Sequence, residues 1–352
     1  MGLYRGNSEV SKAYRGNIEL SKIYKGNTEV WSATSPGIAD ISTFSYNSAL
    51  SYTGDSYPGS RYGGTFSKPK IDGTRIFWTY ADYNYHRDNY ADLSTAWDFS
   101  TIGSQVASGN YNLTNHYQTT WWISQDGTKV FTGGYSNSNV SGYDDIYRKD
   151  LSTAWLNTGN SYTTYGTNPR SYWGAHTNYK MLGFNPAGTT WIMGGSNNAA
   201  GTNVDYRMYL RQFSLSTAWD QSNSNATQVN FLDLGAQVGI TSYYSSGTGE
   251  ICNAYTMNYT GTQILLDKIT YSGGTILNRK FMVGNMSTPF DISTLTVDTT
   301  KYIDLASLPI TASFNIADVF FGGDNQEYLI VYVGNGSYGQ SNGVKMKWLV
   351  YK

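Results

Sequence analysis

The stretch Leu93-Ser94-Thr95-Ala96-Trp97-Asp98 recurs as Leu151-Ser152-Thr153-Ala154-Trp155 and again as Leu215-Ser216-Thr217-Ala218-Trp219-Asp220. Looser copies read Asp40-Ile41-Ser42-Thr43 and Asp291-Ile292-Ser293-Thr294, which makes five tags. The steps from Ile41 through Leu93, Leu151 and Leu215 to Ile292 are 52, 58, 64 and 77 residues, and 60 residues follow the last. Upstream of the internal tags stands a turn between two runs of strand formers: Asp72-Gly73-Thr74, Asp126-Gly127-Thr128, Ala187-Gly188-Thr189 and Thr260-Gly261-Thr262. Asp-Gly between apolar or β-branched runs is a hairpin signal, because glycine supplies the positive φ that tight turns need. A loop rich in Asn, Ser, Gly and Tyr then leads to a third strand, the tag and a fourth strand.

A unit of about four strands recurring without helical periodicity predicts the blades of a β-propeller. The last strand, residues 343–352, matches the strand that precedes each tag, yet the chain stops where a tag is due. The missing tag lies at Asp40 to Thr43. The expected fold is therefore all-β, a five-bladed propeller whose last blade takes its fourth strand from about Ile41 to Tyr52, pairing the N- and C-terminal strands. Trp97, Trp155 and Trp219 are expected to fill space between blades, and the tag's Ser, Thr and Asp to shape a tight corner.

Residues 1–34 carry a second repeat of period ten: LYRGNSEVSK, AYRGNIELSK and IYKGNTEVWS. Gly-Asn turns between short alternating stretches predict a small β-meander, marginal alone and therefore ordered by a partner. The expected division is a docking arm at 1–34, with Tyr4, Tyr14, Tyr24, Glu9, Glu19 and Glu29 as docking residues, and the propeller at 35–352.

Charged residues make up 14% of the chain and the net charge is −1, so no basic face for nucleic acid is implied. No apolar run is long enough to span a bilayer and no signal-peptide core opens the chain, so neither membrane insertion nor ordinary secretion is expected. The single cysteine, Cys252, excludes an internal disulfide and reads as a small buried hydrophobe. His86, His116 and His176 sit at no metal-ligand spacing, and no cofactor or metal is expected.

The turns Ser124 to Lys129 and Asn185 to Thr189 resemble the Ser-Pro-Asp-Gly-Lys turn of Tol-type propeller repeats, a match that bears on fold alone. The Leu-Ser-Thr-Ala-Trp-Asp repeats together with the N-terminal Tyr-x-Gly-Asn-x-Glu-Val ladder resemble virion proteins of tailed bacteriophages. That resemblance implies a tail fibre, adhesin or decoration protein, assembled in the host cytoplasm and extracellular in the particle. It also implies partners among other virion proteins through residues 1–34, and a homo-oligomer or multi-copy assembly.

Strands alternate in direction, so the connections between blades and the loops between second and third strands emerge on one face. That face gathers Tyr80, Tyr83, Tyr85, His86, Tyr135, Tyr143, Tyr271 and Tyr338. Tyrosine among Asn and Ser offers apolar faces with hydrogen-bonding groups, a composition suited to sugar rings or to a protein interface. Acidic residues such as Asp72, Asp92, Asp126 and Asp150 sit in turns or beside tags, where Asp has a structural role. The expectation is therefore a virion protein without catalytic residues that binds host surface glycans through the loop face. A ligand-free decoration protein and a propeller glycoside hydrolase stand as alternatives.

Overall fold

The computed structural model describes side chains at residues 38–53, 67–79, 88–106, 120–133, 146–156, 180–195, 208–304, 316–322, 328–333 and 347–352, apart from Ala39, Asn223, Ser246 and Ala317; elsewhere it describes only the backbone of certain strands. The chain divides into two compact units, Met1–Gly37 and Ile38–Lys352, three residues beyond the boundary expected from the repeat.

In the first unit each ten-residue repeat closes on itself as a two-stranded hairpin around its Gly-Asn: Tyr4–Arg5 with Ser8–Glu9, Ala13–Arg15 with Ile18–Leu20, and Lys22–Lys25 with Thr28–Ser32. Among the described residues the three repeats are three separate two-stranded sheets, where one meander was expected. The registers coincide, Tyr4 facing Glu9, Tyr14 facing Glu19 and Tyr24 facing Glu29, so the period of ten is one hairpin.

The second unit is a five-bladed β-propeller of antiparallel sheets. From inner to outer strand, blade 1 is Phe66–Pro69, Arg75–Asp82, Tyr85–Asp92 and Val106–Tyr111. Blade 2 is His116–Ile123, Lys129–Ser136, Ile146–Asp150 and Thr163–Tyr165. Blade 3 is Tyr179–Phe184, Thr190–Ser196, Met208–Leu215 and Ala226–Asp233. Blade 4 is Gly249–Met257, Gln263–Ser272 and Thr275–Met286, its outer position shared by Leu295–Val297 and Ile303–Asp304. Blade 5 is Asn315–Gly322, Tyr328–Asn335 and Val344–Tyr351 from the C-terminal end, with Tyr46–Tyr52 as its outer strand.

Closure by the two ends follows the sequence expectation. Tyr46 pairs with Tyr351, Asn47 with Val350 and Tyr52 with Trp348, and Ser45 and Lys352 exchange backbone hydrogen bonds of 3.0 Å in both directions. Gln263 of blade 4 clamps the start of this segment, accepting from Ile38 N (2.9 Å) and donating to Ile38 O (2.8 Å). Because each blade is sandwiched between two others, its middle strands are apolar on both faces, as in Ile264-Leu265-Leu266. Five buried apolar clusters result, one at each interface between successive blades.

The tag holds the hairpin turn of its own blade, and its Trp packs against the neighbouring blade as expected: Trp155 meets Phe77 of blade 1 at 5.8 Å, Trp219 meets Phe131 of blade 2 at 6.2 Å, and Trp97 lies in the cluster shared with blade 5. Trp97, Trp155 and Trp219 adopt positive φ (63, 59 and 66°), and each donates its backbone N–H to the turn glycine's carbonyl, at Gly73 (3.1 Å), Gly127 (2.8 Å) and Gly188 (2.8 Å). The indole lies flat on that glycine, where a Cβ would meet it at 2.2–2.5 Å. The geometry also corrects the register of the looser copies. In blade 4 the tag is Met286-Ser287-Thr288-Pro289-Phe290-Asp291, with Phe290 (φ 61) on Gly261. Asp40-Ile41-Ser42-Thr43 and Asp291-Ile292-Ser293-Thr294 instead match Asp98-Phe99-Ser100-Thr101, a single 3-10 turn capped by the Asp carboxylate, which accepts from the Ser N–H. Successive blades are joined through the tags as well: Arg75 Nη1 donates to Trp155 O (3.1 Å) and Arg148 Nη1 to Trp219 O (2.9 Å).

Candidate functional site

Every inner strand runs into the hairpin turn of its blade, so the inner strands share one direction and present side chains to each other around the axis. In four of them a β-bulge interrupts the ladder, between Gln118 and Thr120, Met181 and Gly183, Ala254 and Thr256, and Ile316 and Asp318. A bulge re-aims the residues around it. In blade 4 it turns two consecutive side chains to polar tasks: Tyr255 OH donates to Asp267 (3.2 Å), while Thr256 Oγ1 accepts from Lys68 Nζ of blade 1. Blades 1 and 4 are not neighbours, so Lys68 spans the axis. Asp318 of blade 5 stands beside it, accepting from Ser67 N (3.3 Å) and Val319 N (2.9 Å). Lys180 of blade 3, half-buried, lies over the Tyr255 ring at 4.0 Å.

Burial sets the electrostatics of this belt. It pulls the Lys68 ammonium down to about 8, with Asp318 opposing, and pulls Lys180 down as well. Burial likewise pushes the Asp318 carboxyl up against the pull of Lys180 and Lys68. A lysine whose folded value lies below its unfolded one binds fewer protons folded than unfolded, so stability rises with pH between the two values. Unfolding titrations are thus expected to show a gain of about 2 kcal/mol between about pH 7.5 and about pH 9.5, reduced in Lys68→Met. A flat profile over that window would show that Lys68 is not held in a desolvated site.

Toward the loop face, a second group adjoins the belt. Arg279, on the third strand of blade 4, donates from Nε (2.9 Å) and Nη2 (2.6 Å) to Asp267 Oδ2, and from Nη2 to Tyr255 OH (2.7 Å). The Asp267 side chain is wholly buried and that of Arg279 is 17% exposed. Asp267 Oδ1 has no hydrogen-bond partner, and burial pushes this carboxyl up, opposed chiefly by Arg279. At the end of the second strand, half-buried Tyr271 meets half-buried Tyr244 edge-on at 4.8 Å. Ile276 (48% exposed) and Leu277 (63%) extend beside them on the hairpin, and Glu250 and Lys268 form an ion pair of 3.1 Å nearby.

The opposite face, formed by the first hairpin turns, holds a cavity of about 320 Å³. Trp122, Phe184 and Trp219 line it with centroids 5.1–6.4 Å apart, together with Met257 and Tyr259. Three of its polar residues are occupied within the fold itself. Asn185 Oδ1 accepts from Thr189 N and Thr190 N, Asn258 Oδ1 from Thr262 N and Gln263 N, and Tyr259 OH donates to Pro69 O across the ring. This pocket was not foreseen, because the residues that line it come from four separate turns.

Of the residues assigned to the loop face from sequence, Tyr271 has a described side chain, at the end of the second strand of blade 4. Tyr80, Tyr85, His86 and Tyr135 lie on strands whose backbone alone is described, with Ala81 facing His86 and Asp82 facing Tyr85; Tyr83, Tyr143 and Tyr338 lie outside the described residues. The side chains of Tyr4, Tyr14, Tyr24, Glu9, Glu19 and Glu29 also lie outside them. Sequence reasoning missed Lys68, Lys180, Asp267, Arg279 and Asp318. The signal available was a charged residue inside an apolar strand, as at Asp267 in Gln263 to Ile269 and Asp318 in Asn315 to Phe321. Among the described residues no three His, Cys, Asp or Glu side chains gather to hold a metal ion, and no helix is long and apolar enough to cross a membrane.

No protein-family model matches the sequence, and no curated protein does. The fold is similar to solved structures at low identity. An α-L-arabinofuranosidase from Fusarium graminearum matches at 7% identity, covering 82% of this chain and 76% of the other, with a TM-score of 0.38. An α-L-arabinanase from Penicillium chrysogenum matches at 9%, covering 81% and 76%, with a TM-score of 0.36. The Vanderwaltozyma polyspora Nup133 β-propeller domain matches at 7%, covering 89% and 93%, with a TM-score of 0.38. The expectation that the chain is not an enzyme is corrected at this point. Glycosidases are among the solved structures whose fold is similar, and the premise that acidic residues mostly sit in turns or next to tags does not cover Asp267 and Asp318, buried inside strands. At these identities the likeness concerns the fold alone.

Proposed function

We propose that the chain is a bacteriophage virion protein of the tail-fibre or adhesin kind, whose N-terminal hairpins dock into the particle and whose propeller binds host surface glycans through its loop face. The observation that carries the binding half is the Tyr244–Tyr271 pair, two half-buried rings meeting at 4.8 Å beside the partly exposed Arg279 and the exposed Ile276 and Leu277. Rings of this kind, left accessible among hydrogen-bonding groups, are suited to the apolar face of a sugar. The docking half is supported by three hairpins in identical register, a modular edge that a small sheet cannot stabilise alone.

Two measurements test it. A chain lacking residues 1–34 is expected to keep the propeller's melting temperature and to be missing from assembled particles; incorporation at normal copy number would overturn the docking role. On a glycan array the intact chain is expected to give discrete hits that Tyr244→Ala with Tyr271→Ala reduces at least about tenfold. An array without hits favours a ligand-free decoration protein, and sugar release from an array hit would make the propeller a hydrolase.

A further inference from the structure

We infer that the cavity on the turn face is a binding site for a small, neutral, planar heteroaromatic molecule of two fused rings, with the Trp122 indole N–H donating to a ring acceptor and the Gln125 carboxamide completing the contact. The site is separate from the loop face and does not depend on the glycan reading. Its size argues for two rings. A cavity of about 150 Å³ lined by Leu, Ile and Phe takes one benzene molecule, and the space here is about 320 Å³. A single ring would leave much of it empty. The wall is apolar and aromatic: Trp122 and Phe184 are 4% and 5% exposed, their ring centroids stand 5.2 Å apart, and Leu182 and Met257 lie beside them. Flat rings pack on such a wall offset or edge-on, and the Met257 thioether adapts to an aromatic edge.

The polar groups decide the class of ring. Asn185 and Asn258 commit their side-chain oxygens to backbone N–H groups of their own turns and their Nδ2 groups to Thr189 and Thr262, and Tyr259 OH is held by Pro69 O. Two groups on the wall are left. Trp122 Nε1–H donates to no described residue, and it faces the bare backbone of Gly183, where an added Cβ would lie 3.4 Å from the indole nitrogen and 3.0 Å from Met257 Cε. The indole nitrogens of Trp121 and Trp191 also lack acceptors but are enclosed in the packed interior, whereas that of Trp122 is open to the cavity. A donor so placed in a nearly buried side chain marks where a ligand acceptor belongs. The half-buried Gln125 carboxamide likewise bonds no described residue, and it offers both a donor and an acceptor. Asp126 is the one charged residue among those lining the cavity; its Oδ1 is taken by Ser124 and Thr128, and Lys129 Nζ, 5.4 Å from the centroid of the Trp219 ring, stands by as its counter-charge. A neutral ligand follows. A sugar carries a hydroxyl on nearly every carbon, which two open groups cannot pair, whereas a fused heteroaromatic brings one or two polar atoms on an apolar plate.

The experiment titrates the full chain, by ligand-observed NMR, with three probes of nearly equal size: naphthalene, quinoline and a quinolinone. Saturable one-to-one binding is expected, with quinoline about two- to tenfold tighter than naphthalene, the range that one neutral hydrogen bond supplies, and the quinolinone tighter again through Gln125. Ile71 stands on the wall at 40% exposure, so Ile71→Trp fills the cavity from its rim without disturbing the core and should weaken all three probes at least about tenfold. Trp122→Phe keeps a ring and removes the N–H, which should erase the advantage of quinoline while naphthalene still binds. Gln125→Leu should erase the further gain of the quinolinone, and thermal melting reports the fold of each variant. Equal affinity for naphthalene and quinoline overturns the heteroaromatic assignment, binding that survives Ile71→Trp overturns the site, and an absence of saturable binding overturns both. Glycan binding at the loop face should be the same in all three variants, so failure here leaves that reading standing.

Discussion

Deleting residues 38–52 is expected to abolish cooperative folding of the propeller, and placing that same stretch after Lys352 is expected to restore it. The deletion removes more than one strand. It takes away Ile38 and Ile41, 3% and 2% exposed within the apolar cluster between blades 4 and 5, each contributing roughly 1.5–3 kcal/mol by burial. It strips the third strand of blade 5 of its pairing with the outer strand, including the bond from Val350 N to Ser51 Oγ at 2.9 Å. It also removes Tyr52 from beside Trp348 and Tyr46 from beside Tyr351. Set against a total stability of about 5–15 kcal/mol, the loss is of the order of the whole. The permuted chain restores the order found in blades 1 to 4, where the outer strand follows the third strand along the chain, and Ser45 already lies against Lys352. Circular dichroism melts of the deleted and permuted chains decide it. A deleted chain that melts within a few degrees of the intact one would show that the ring does not need this strand.

Gly127→Ala is expected to cost at least about 3 kcal/mol, an effect large for so small a change. Gly127 has φ +69°, and an added Cβ would lie 2.2 Å from Trp155 Cδ1. Forcing alanine into the left-handed region costs about 1–2 kcal/mol, and the indole must then leave its seat. Trp155→Ala alone should cost about 3–5 kcal/mol. Both substitutions act on one contact, so the double variant should lose much less than the sum of the singles. Urea denaturation of the three variants measures this directly, and additive losses would mean that the tag does not hold the turn.

The fold was legible because its determinants are local and repeated. Asp72-Gly73-Thr74 and its equivalents mark hairpins through glycine's access to positive φ, and a strand absent at one end with a surplus at the other reveals closure. What misled was similarity without register. Ile-Ser-Thr resembles Leu-Ser-Thr as a string, but it forms a 3-10 turn six residues later in the unit, Ile292 against Met286 as Phe99 against Leu93, and blade 4 places Phe290 where the other tags have Trp. The site was less legible. Tyr271 could be assigned to a face from strand direction alone, whereas Lys68 reaches Thr256 across 188 positions, and Arg279 meets Tyr255 only because a bulge turns that ring. Such partners share no spacing in the sequence. The acidic residues made the point sharply: Asp72 and Asp126, read as structural, accept from the backbone N–H of Thr74 and Thr128 in their turns, whereas buried Asp267 and Asp318 were hidden inside apolar runs.

Sealing the ring with Tyr46–Tyr52 also fixes when the molecule can become whole. During synthesis this strand emerges early, and the stretch it pairs with, Val344–Tyr351, follows some 300 residues later. At roughly 5–20 residues per second, that is a wait of about 15–60 s. Throughout that interval the nascent chain carries an unpaired strand, and the two interfaces of blade 5 remain incomplete. The ring therefore closes only once Val344–Tyr351 has emerged, and a ribosome stalled before Val344 would leave Tyr46–Tyr52 with no strand to pair with.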